Sequence, residues 1–300
     1  MELSVVVPTL NARDELAGCL DALAEFVPGA EVIVVNGPSA DGTTGMVQDR
    51  EDVDVLVELA DRTINAARNA GISHASGDRI ALVNHTLSIT EGWAGAVREG
   101  LAEADVITGP TQTRLRATLV TEDVESRTIA GRSVTYFNGG NVAFRREALE
   151  HLDGFDEYLE IGGARDLAHR LAGSDFVVRW TDRMSVREEV GTDGGERETD
   201  WGWKYRSLSY RLVKNYGLRP TVLRRLVGHA GSDAVAELRR VVAGDGQPSA
   251  WLGTGRDVTA NLAGGVKDGA LARRSDGTPA RNPNGLSARS EWAVSVYDYR

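Results

Sequence analysis

The sequence predicts an α/β protein with a mixed, mostly parallel sheet flanked by helices and with a helical and loop-rich C-terminal extension. Short apolar runs typical of buried strands alternate with helical patterns over residues 1–110, and this alternation indicates βαβ units. The chain has 300 residues, of which 41% are hydrophobic. That is enough apolar material to bury a substantial core.

Five apolar runs predict strands in the first part of the chain, at residues 3–8, 31–35, 53–59, 80–83 and 106–109. Helical patterns lie between them at residues 13–25, 64–75 and 91–103. Asn11 suits the N-cap of the first helix. Ligands of parallel sheets bind beyond the carboxyl ends of the strands. We therefore expect the turns at residues 8–11, 36–42 and 84–86 to form one site.

The second part of the chain is less regular. Its patterns predict strands at residues 136–144, 176–180 and 291–299, the first broken by Gly139 and Gly140, and helices at 145–152, 167–171, 203–215, 221–227 and 233–242. A polar loop covers residues 191–198. Residues 244–285 are rich in Gly, Pro, Asn and Arg, so we expect them to be extended or partly disordered.

The composition is acidic, with 34 Lys and Arg against 44 Asp and Glu and a net charge of −10. Only three of the basic residues are lysines: Lys204, Lys214 and Lys267. An acidic surface with few lysines is expected in a very salty cytoplasm, because screening removes the self-repulsion. High genomic GC content is the alternative reason for the arginines. The charge argues against a general nucleic-acid-binding surface.

Other sequence features bear on disulfide bonds and on the cellular location of the protein. The single cysteine, Cys19, excludes an internal disulfide framework. No run approaches the ~18 apolar residues of a membrane span. The first residues enter a strand pattern directly, so we expect no signal peptide and a cytoplasmic location.

Five blocks of sequence occur in order: SVVVPTLN at 4–11 with Glu15, VIVVNGPSADGT at 32–43, ARNAG at 67–71 with ASGDRI at 75–80, NGGNVAFRR at 138–146, and GFDE at 154–157. They resemble the motifs of family 2 glycosyltransferases. The resemblance implies the GT-A fold (nucleotide-diphospho-sugar transferase, Rossmann-like). It also implies a domain over residues 1–200, with a nucleotide-binding half at 1–110 and an acceptor half at 111–200. A basic aromatic helical segment at 201–243 and an extension at 244–300 would follow.

The same resemblance implies a nucleotide-diphosphate sugar donor. The residues it assigns to the donor are Pro8, Thr9, Asn11, Glu15, Asn36, Ser39, Arg68, Asn84 and Thr86. Asn36 stands where the family has an aspartate that accepts from the base imide, and the alternative is ordinary Asn-Gly turn chemistry. For Arg68 the alternative is an arginine on the surface of a helix.

Two motifs depart from the family pattern. The family binds Mg²⁺ or Mn²⁺ with an Asp-x-Asp motif, where this chain has Asn84, His85 and Thr86. Neutral side chains are poor ligands for a hard divalent cation, so we assign no metal ligand and leave the cofactor open.

The second departure concerns the general base. The family has Glu-Asp-x-Asp, and the two leading acids are here Gly163 and Ala164. Asp166 is the nearest candidate for the base, with Asp156 and Glu157 in reserve. The alternative for Asp166 is an acid in the first turn of a helix.

One feature is independent of the family. No acidic residue lies between Asp200 and Asp233, and basic residues alternate there with aromatic ones. This pattern suits an anionic membrane surface or a lipid phosphate, and the residues we assign to such contacts are Trp201, Trp203, Lys204, Arg206 and Arg211. The alternative is a packed helix pair. Arginines of this segment are also candidates to neutralise the donor diphosphate.

Together these observations predict an inverting glycosyltransferase. Its expected acceptor is a lipid-linked glycan in surface-glycan or N-glycan assembly, at the inner face of the membrane. Two other classes stay open. One is a pseudo-glycosyltransferase that only binds a partner, and the other is a nucleotidyltransferase on a related fold.

Overall fold

The computed structural model of the chain describes residues 2–115, 118–121, 124–188, 200–243, 248–278, 280–289 and 293–300. Its contacts divide into two compact units. The first comprises the described residues of Met1–Arg127, Val134–Gly195 and Asn284–Arg300, and the second those of Thr128–Ser133 and Glu196–Pro283. None of the described helices combines the length and the apolar character needed to cross a membrane.

The described strands, in chain order, are β1 Leu3–Thr9, β2 Glu31–Asn36, β3 Val55–Leu59, β4 Arg79–Val83, β5 Leu87–Ile89, β6 Val106–Thr108, β7 Thr111–Leu115, β8 Thr118–Thr121, β9 Ser126–Ile129, β10 Arg132–Thr135, β11 Asn141–Arg145, β12 Val178–Trp180, β13 Val186–Glu188 and β14 Ala293–Asp298. The described helices are α1 Arg13–Phe26, α2 Thr43–Gln48, α3 Ile64–His74, α4 Trp93–Glu103, α5 Arg146–His151, α6 Gly163–Leu171, α7 Trp201–Tyr216, α8 Pro220–Ala243 and α9 Pro248–Ser275, and a short 3₁₀ helix covers Leu286–Ala288.

The first unit is built on an eight-stranded sheet of order β12-β6-β11-β4-β1-β2-β3-β14. The strands β4, β1, β2 and β3 are parallel to one another, and so are β12 and β6. Strands β11 and β14 are antiparallel to their neighbours. The mixed, mostly parallel α/β sheet predicted from the sequence is therefore confirmed, and so is the late strand that returns to the sheet edge as β14. A smaller sheet has the order β5-β13-β7-β8.

Helix α3 packs very closely on the centre of the large sheet. A Cβ at Gly71 would lie 2.2 Å from Cγ1 of Val6 and 3.1 Å from Cγ2 of Val35. Both valines are fully buried in β1 and β2. Only a residue without a side chain allows this approach, and it brings the start of α3 to the carboxyl ends of these strands.

The prediction for residues 244–285 was wrong over Pro248–Ser275, which form the long helix α9. Two of its glycines serve close packing within the second unit. A Cβ at Gly265 would lie 2.2 Å from the backbone oxygen of Arg206, and one at Gly269 would lie 2.5 Å from that of Tyr210. Gly-rich composition therefore marks close contact with α7 here and not an extended chain.

Three smaller predictions also need correction. Asn11 is not an N-cap, since α1 is capped by Ala12 and Asn11 itself has a φ of 48°. The two helices predicted at 221–227 and 233–242 are one continuous helix, α8. Residues 138–140 lie in a turn, so the strand predicted from residue 136 begins only at Asn141. The predicted loop at 191–198 lies outside the described residues.

Candidate functional site

A small cleft of about 70 Å³ opens at the carboxyl ends of the parallel strands in the first unit. Residues from four chain segments line it, each just beyond a strand or at the start of α3. They are Pro8, Thr9, Leu10, Gly37, Asp61, Arg62, Thr63, Ile64, Ala67 and His85. The turns that the sequence pattern predicted to form one site therefore do contribute to one cleft. The segment after β3 lines the same cleft.

The turn after β2 is held by a chain of hydrogen bonds around Asn36. Its Oδ1 accepts from Oγ of Ser39 at 2.7 Å, and its Nδ2 donates to Oγ1 of Thr44 at 2.9 Å. Asn36 is 1% exposed and does not line the cleft. Both ends of its amide are engaged, so the geometry favours the turn alternative over recognition of a base.

Asn11 and Ser39 belong to the same turn network. The backbone N–H of Asn11 donates to Oγ of Ser39, and Oδ1 of Asn11 accepts from the backbone N–H of Ala40, both at 2.8 Å. These bonds hold Asn11 in the left-handed region that Asn tolerates. Glu15 lies partly exposed in the first turn of α1 and is not among the lining residues. Of the predicted donor residues, Pro8 and Thr9 line the cleft directly.

The turn after β4 tests whether a divalent cation fits. Nδ2 of Asn84 lies 3.3 Å from Oγ1 of Thr86, and Oδ1 of Asn84 is buried without a hydrogen-bond partner. Nδ1 of His85 lies 3.0 Å from the backbone oxygen of Pro8. Since a carbonyl can only accept, Nδ1 donates there and fixes the ring. Within the described residues no three His, Cys, Asp or Glu side chains are grouped to hold a metal. This donor set does not fit Mg²⁺ or Mn²⁺.

Arg68 is a buried cation and not a surface arginine. It is 7% exposed, and its guanidinium carbon lies 5.0 Å from the centre of the Phe155 ring. Its Nη1 donates to Oδ1 of Asn65 at 3.2 Å, while its Nε is buried without a partner. Burial lowers the pKa of Arg68 to about 10, so it keeps its charge at neutral pH.

Arg68 and its partner Asn65 each approach a glycine closely. A Cβ on Gly139 would lie 2.8 Å from Nη2 of Arg68 and 2.9 Å from Cβ of Ala164. A Cβ on Gly163 would lie 2.3 Å from Oδ1 of Asn65. Of the two positions where the family carries acids, position 163 therefore has no room for a carboxylate.

Asp166 forms a buried ion pair in α6. Its Oδ2 accepts from Nε of Arg170 at 2.9 Å, and both side chains are 0% exposed. Asp156 is also 0% exposed, and its Oδ1 accepts from Nδ2 of Asn284 at 2.9 Å. Neither carboxylate presents an atom to an acceptor hydroxyl, so this geometry does not support the expected base role. That role stays a prediction, which the Asp166 variant described below tests.

Glu157, the other reserve candidate for the general base, is also engaged in hydrogen bonds. Its Oε1 accepts from Nδ2 of Asn69 and from Nε of Arg289, each at 2.8 Å. Burial raises the pKa of Glu157, and the two hydrogen bonds and the Arg289 charge oppose that rise. The contacts place Glu157 in the packing between α3 and the chain near the 3₁₀ helix.

The basic residues of α7 in the second unit are largely paired. Nζ of Lys204 lies 2.7 Å from Oδ2 of Asp233, and Nη2 of Arg206 lies 2.6 Å from Oδ2 of Asp268. Trp201 and Trp203 are partly buried, with Nζ of Lys204 4.4 Å from the ring centre of Trp201. Arg211 is partly exposed with a buried Nε. These contacts favour the packed-helix alternative for α7.

The part of the cleft that follows β3 was missed by the sequence analysis. Asp61 and Arg62 are exposed and line the cleft just after β3. Oδ1 of Asp61 accepts from the backbone N–H of Thr63 at 2.6 Å and from its Oγ1 at 2.7 Å. The sequence pattern could have identified them, because these polar residues follow a predicted parallel strand just as the other predicted turns do.

Comparisons with known proteins bear on the family and the fold of the chain. Residues 4–153 match the profile of the family "Glycosyl transferase family 2". The chain is 27% identical to the glycosyltransferase AglE of Haloferax volcanii over 73% of this chain and 67% of that protein. It is 25% identical to the glycosyltransferase GlyA of Streptococcus pneumoniae over 36% of this chain, and the match spans only 16% of GlyA.

Solved structures resemble the fold. A mannosyltransferase from Pyrobaculum calidifontis, in complex with GDP-Man and Mn²⁺, is 18% identical with a TM-score of 0.56, covering 92% of this chain and 88% of that one. S. aureus TarS 1–349 in complex with UDP-GlcNAc is 15% identical with a TM-score of 0.59, covering 92% of each chain.

Proposed function

Because the chain belongs to glycosyl transferase family 2 and has a GT-A fold, we propose that it is an inverting glycosyltransferase that moves a sugar from a nucleotide-diphosphate donor to a hydroxyl of a lipid-linked glycan. That the protein is a glycosyltransferase using nucleotide sugars follows from the family and the fold. The inverting course and the acceptor are our proposals.

The cleft beyond β1 carries the proposal. All of its lining residues fall within residues 4–153, the segment that matches the family. Pro8, Thr9 and Leu10 offer an apolar wall and backbone groups to a nucleoside. Asp61 offers an acceptor oxygen to a base N–H or a ribose hydroxyl, the role that the buried Asn36 does not fill.

We assign neutralisation of the diphosphate charge to a basic side chain of the protein itself. Arg62 is exposed in the cleft, and a guanidinium can bind phosphate oxygens through two parallel N–H bonds. In the transfer, the acceptor oxygen bonds to the anomeric carbon and releases its proton to solvent while the bond between that carbon and the diphosphate oxygen breaks. Arg62 then stabilises the charge that develops on the leaving diphosphate, and no divalent cation is assigned a role.

The cellular setting is proposed from composition. The acidic charge of −10 with three lysines supports a halophilic source, and the alignment with AglE of Haloferax volcanii is consistent with that. We propose that the protein acts in surface-glycan or N-glycan assembly, from the cytoplasmic side, as a peripheral protein at the inner membrane face.

Calorimetry in high salt tests the donor site, with UDP-GlcNAc and GDP-Man as probes, in EDTA and in Mn²⁺. We expect one donor to bind in EDTA, with an affinity within about tenfold (roughly 1.4 kcal/mol) of that in Mn²⁺. Arg62→Ala should weaken binding by at least about tenfold because the diphosphate loses its guanidinium.

Arg98→Ala is the matched control, because Arg98 is an exposed arginine of α4 outside the cleft. Binding that requires Mn²⁺ would contradict the metal-independent site. Equal effects of Arg62→Ala and Arg98→Ala would contradict the assignment of the cleft. A donor that binds without nucleotide release in the presence of glycan acceptors would favour the pseudo-glycosyltransferase.

A further inference from the structure

Helix α8 in the second unit presents an unpartnered apolar face. Leu223, Val227, Val235 and Leu238 are 46%, 70%, 48% and 41% exposed. On the adjoining face of the same helix Val222 and Leu226 are each 1% exposed. The helix therefore has two apolar sides, and only one of them is used for packing.

The exposed apolar side chains lie along one side of the helix. At about 100° of rotation per residue, positions 223, 227, 234 and 238 fall within roughly 60° of one another, and position 235 lies beside them. Four large apolar side chains on one exposed helix face exceed the scattered exposure that is normal for a protein surface.

Arginines flank this apolar side of the helix. Arg224 and Arg239 are exposed next to it, and Arg219 is exposed just before the helix begins. Within the described part of the chain, no salt bridge is formed by these three arginines. Helix α8 carries four arginines against two acids, in a chain of net charge −10.

The charge of Asp233 is held on the packed side of the helix. Its Oδ2 accepts from Nζ of Lys204 and from the hydroxyl of Tyr205, each at 2.7 Å. These contacts hold the pKa of Asp233 below its ordinary value, although its partial burial opposes the shift. The acid nearest the middle of α8 is thus paired with α7 and does not neutralise the arginines of the open face.

We propose that the exposed face of α8 is a peripheral lipid-binding surface, in which Leu223, Val227, Val235 and Leu238 insert among acyl chains and the flanking arginines meet anionic headgroups. An apolar face bordered by arginine is the pattern of a helix that lies in a membrane interface. This inference rests on the proposed function for its purpose, since it places the enzyme where a lipid-linked acceptor would be.

A second copy of the chain is a poorer occupant. In a symmetric dimer the same patch meets itself, so the arginines of one α8 would approach those of the other. Like charges at such a contact repel one another, whereas an anionic lipid surface attracts them. The charge of the face therefore favours lipid.

Vesicle co-sedimentation with the full chain tests this surface. The probes are vesicles of phosphatidylcholine with phosphatidylglycerol, and vesicles of phosphatidylcholine alone. We expect binding to the anionic vesicles and a loss of at least about tenfold in Val227→Asp, which removes an inserting side chain and adds a negative charge. Val177→Asp is the matched control, because Val177 is 50% exposed in the first unit.

The salt dependence of vesicle binding separates the electrostatic contribution of the arginines from the apolar contribution of the inserted side chains. Arg224→Gln should weaken binding by about fivefold at moderate salt, the equivalent of ~1 kcal/mol for one basic residue near an anionic surface. At about 1 M salt, where the Debye length is ~3 Å, Arg224→Gln should have little effect while Val227→Asp keeps its effect.

Three results would overturn the proposal. They are no binding of the unaltered protein to anionic vesicles, equal binding by Val227→Asp and Val177→Asp, and a dimer that Val227→Asp converts to a monomer without any vesicle binding. Donor calorimetry on the same samples separates the two proposals. Vesicle binding without donor binding would reject the proposed function, and donor binding without vesicle binding would reject the lipid surface.

Discussion

Replacing Asp166 by asparagine separates a structural from a catalytic carboxylate. Asp166 and Arg170 are one turn apart in α6 with Oδ2 and Nε at 2.9 Å, and neither side chain has exposed area. Nη2 of Arg170 also donates to the backbone oxygen of Gly154 at 2.8 Å, and Nη1 donates to that of Leu152. In Asp166→Asn, Nε keeps an oxygen acceptor, but the guanidinium loses its counter-charge inside the protein.

The expected loss of stability follows from that geometry. Removing one partner of a buried ion pair costs about 3–5 kcal/mol, because an uncompensated charge stays buried. Asparagine retains one hydrogen bond to Nε, so we expect a value near the lower end, about 3 kcal/mol. A catalytic base predicts the opposite pattern, in which turnover falls by orders of magnitude while the free energy of unfolding hardly changes.

Chemical denaturation of the full chain provides the assay, with donor calorimetry and nucleotide release measured on the same sample well below the transition. Asp175→Asn is the matched control because Asp175 is exposed in the same unit, and we expect it to stay within about 0.5 kcal/mol of the unaltered protein. If Asp166→Asn unfolds like Asp175→Asn and yet loses turnover, the structural interpretation is refuted.

Two further predictions concern packing and pH. Gly71→Ala should lower the free energy of unfolding by about 1–3 kcal/mol, because its Cβ would lie 2.2 Å from Cγ1 of Val6. Gly45→Ala is the control and should not destabilise the fold, because nothing lies within 4 Å of its Cβ. Denaturation curves of both variants measure the difference. Asp233→Asn should remove about 1 kcal/mol at neutral pH through its partly exposed pair with Lys204. Because the folded pKa of Asp233 lies below its unfolded value, that stabilisation is present above the unfolded pKa of 3.8 and is lost as the pH falls through the folded pKa. The variant and the unaltered protein should therefore converge in stability in acid.

The sequence by itself determined the alternation of strands and helices and the convergence of the strand ends. Period-two and period-3.6 patterns are local, so β1, β2, β4, α1 and α3 appear close to their predicted bounds. The rule that ligands bind at the carboxyl ends of parallel strands then placed Pro8 and Thr9 in one cleft before any contact was known.

Only the tertiary structure decided which polar side chains face that cleft. Asn36 and Asp166 are buried and bonded to near neighbours in the chain, whereas the charge of Arg68 is enclosed by a residue distant in sequence, Gly139. The same holds for α9, where Gly265 and Gly269 suggested a break in structure but lie against the backbone of α7. Composition cannot distinguish a glycine required by a close approach from one that loosens the chain, because the difference lies in the neighbour and not in the residue.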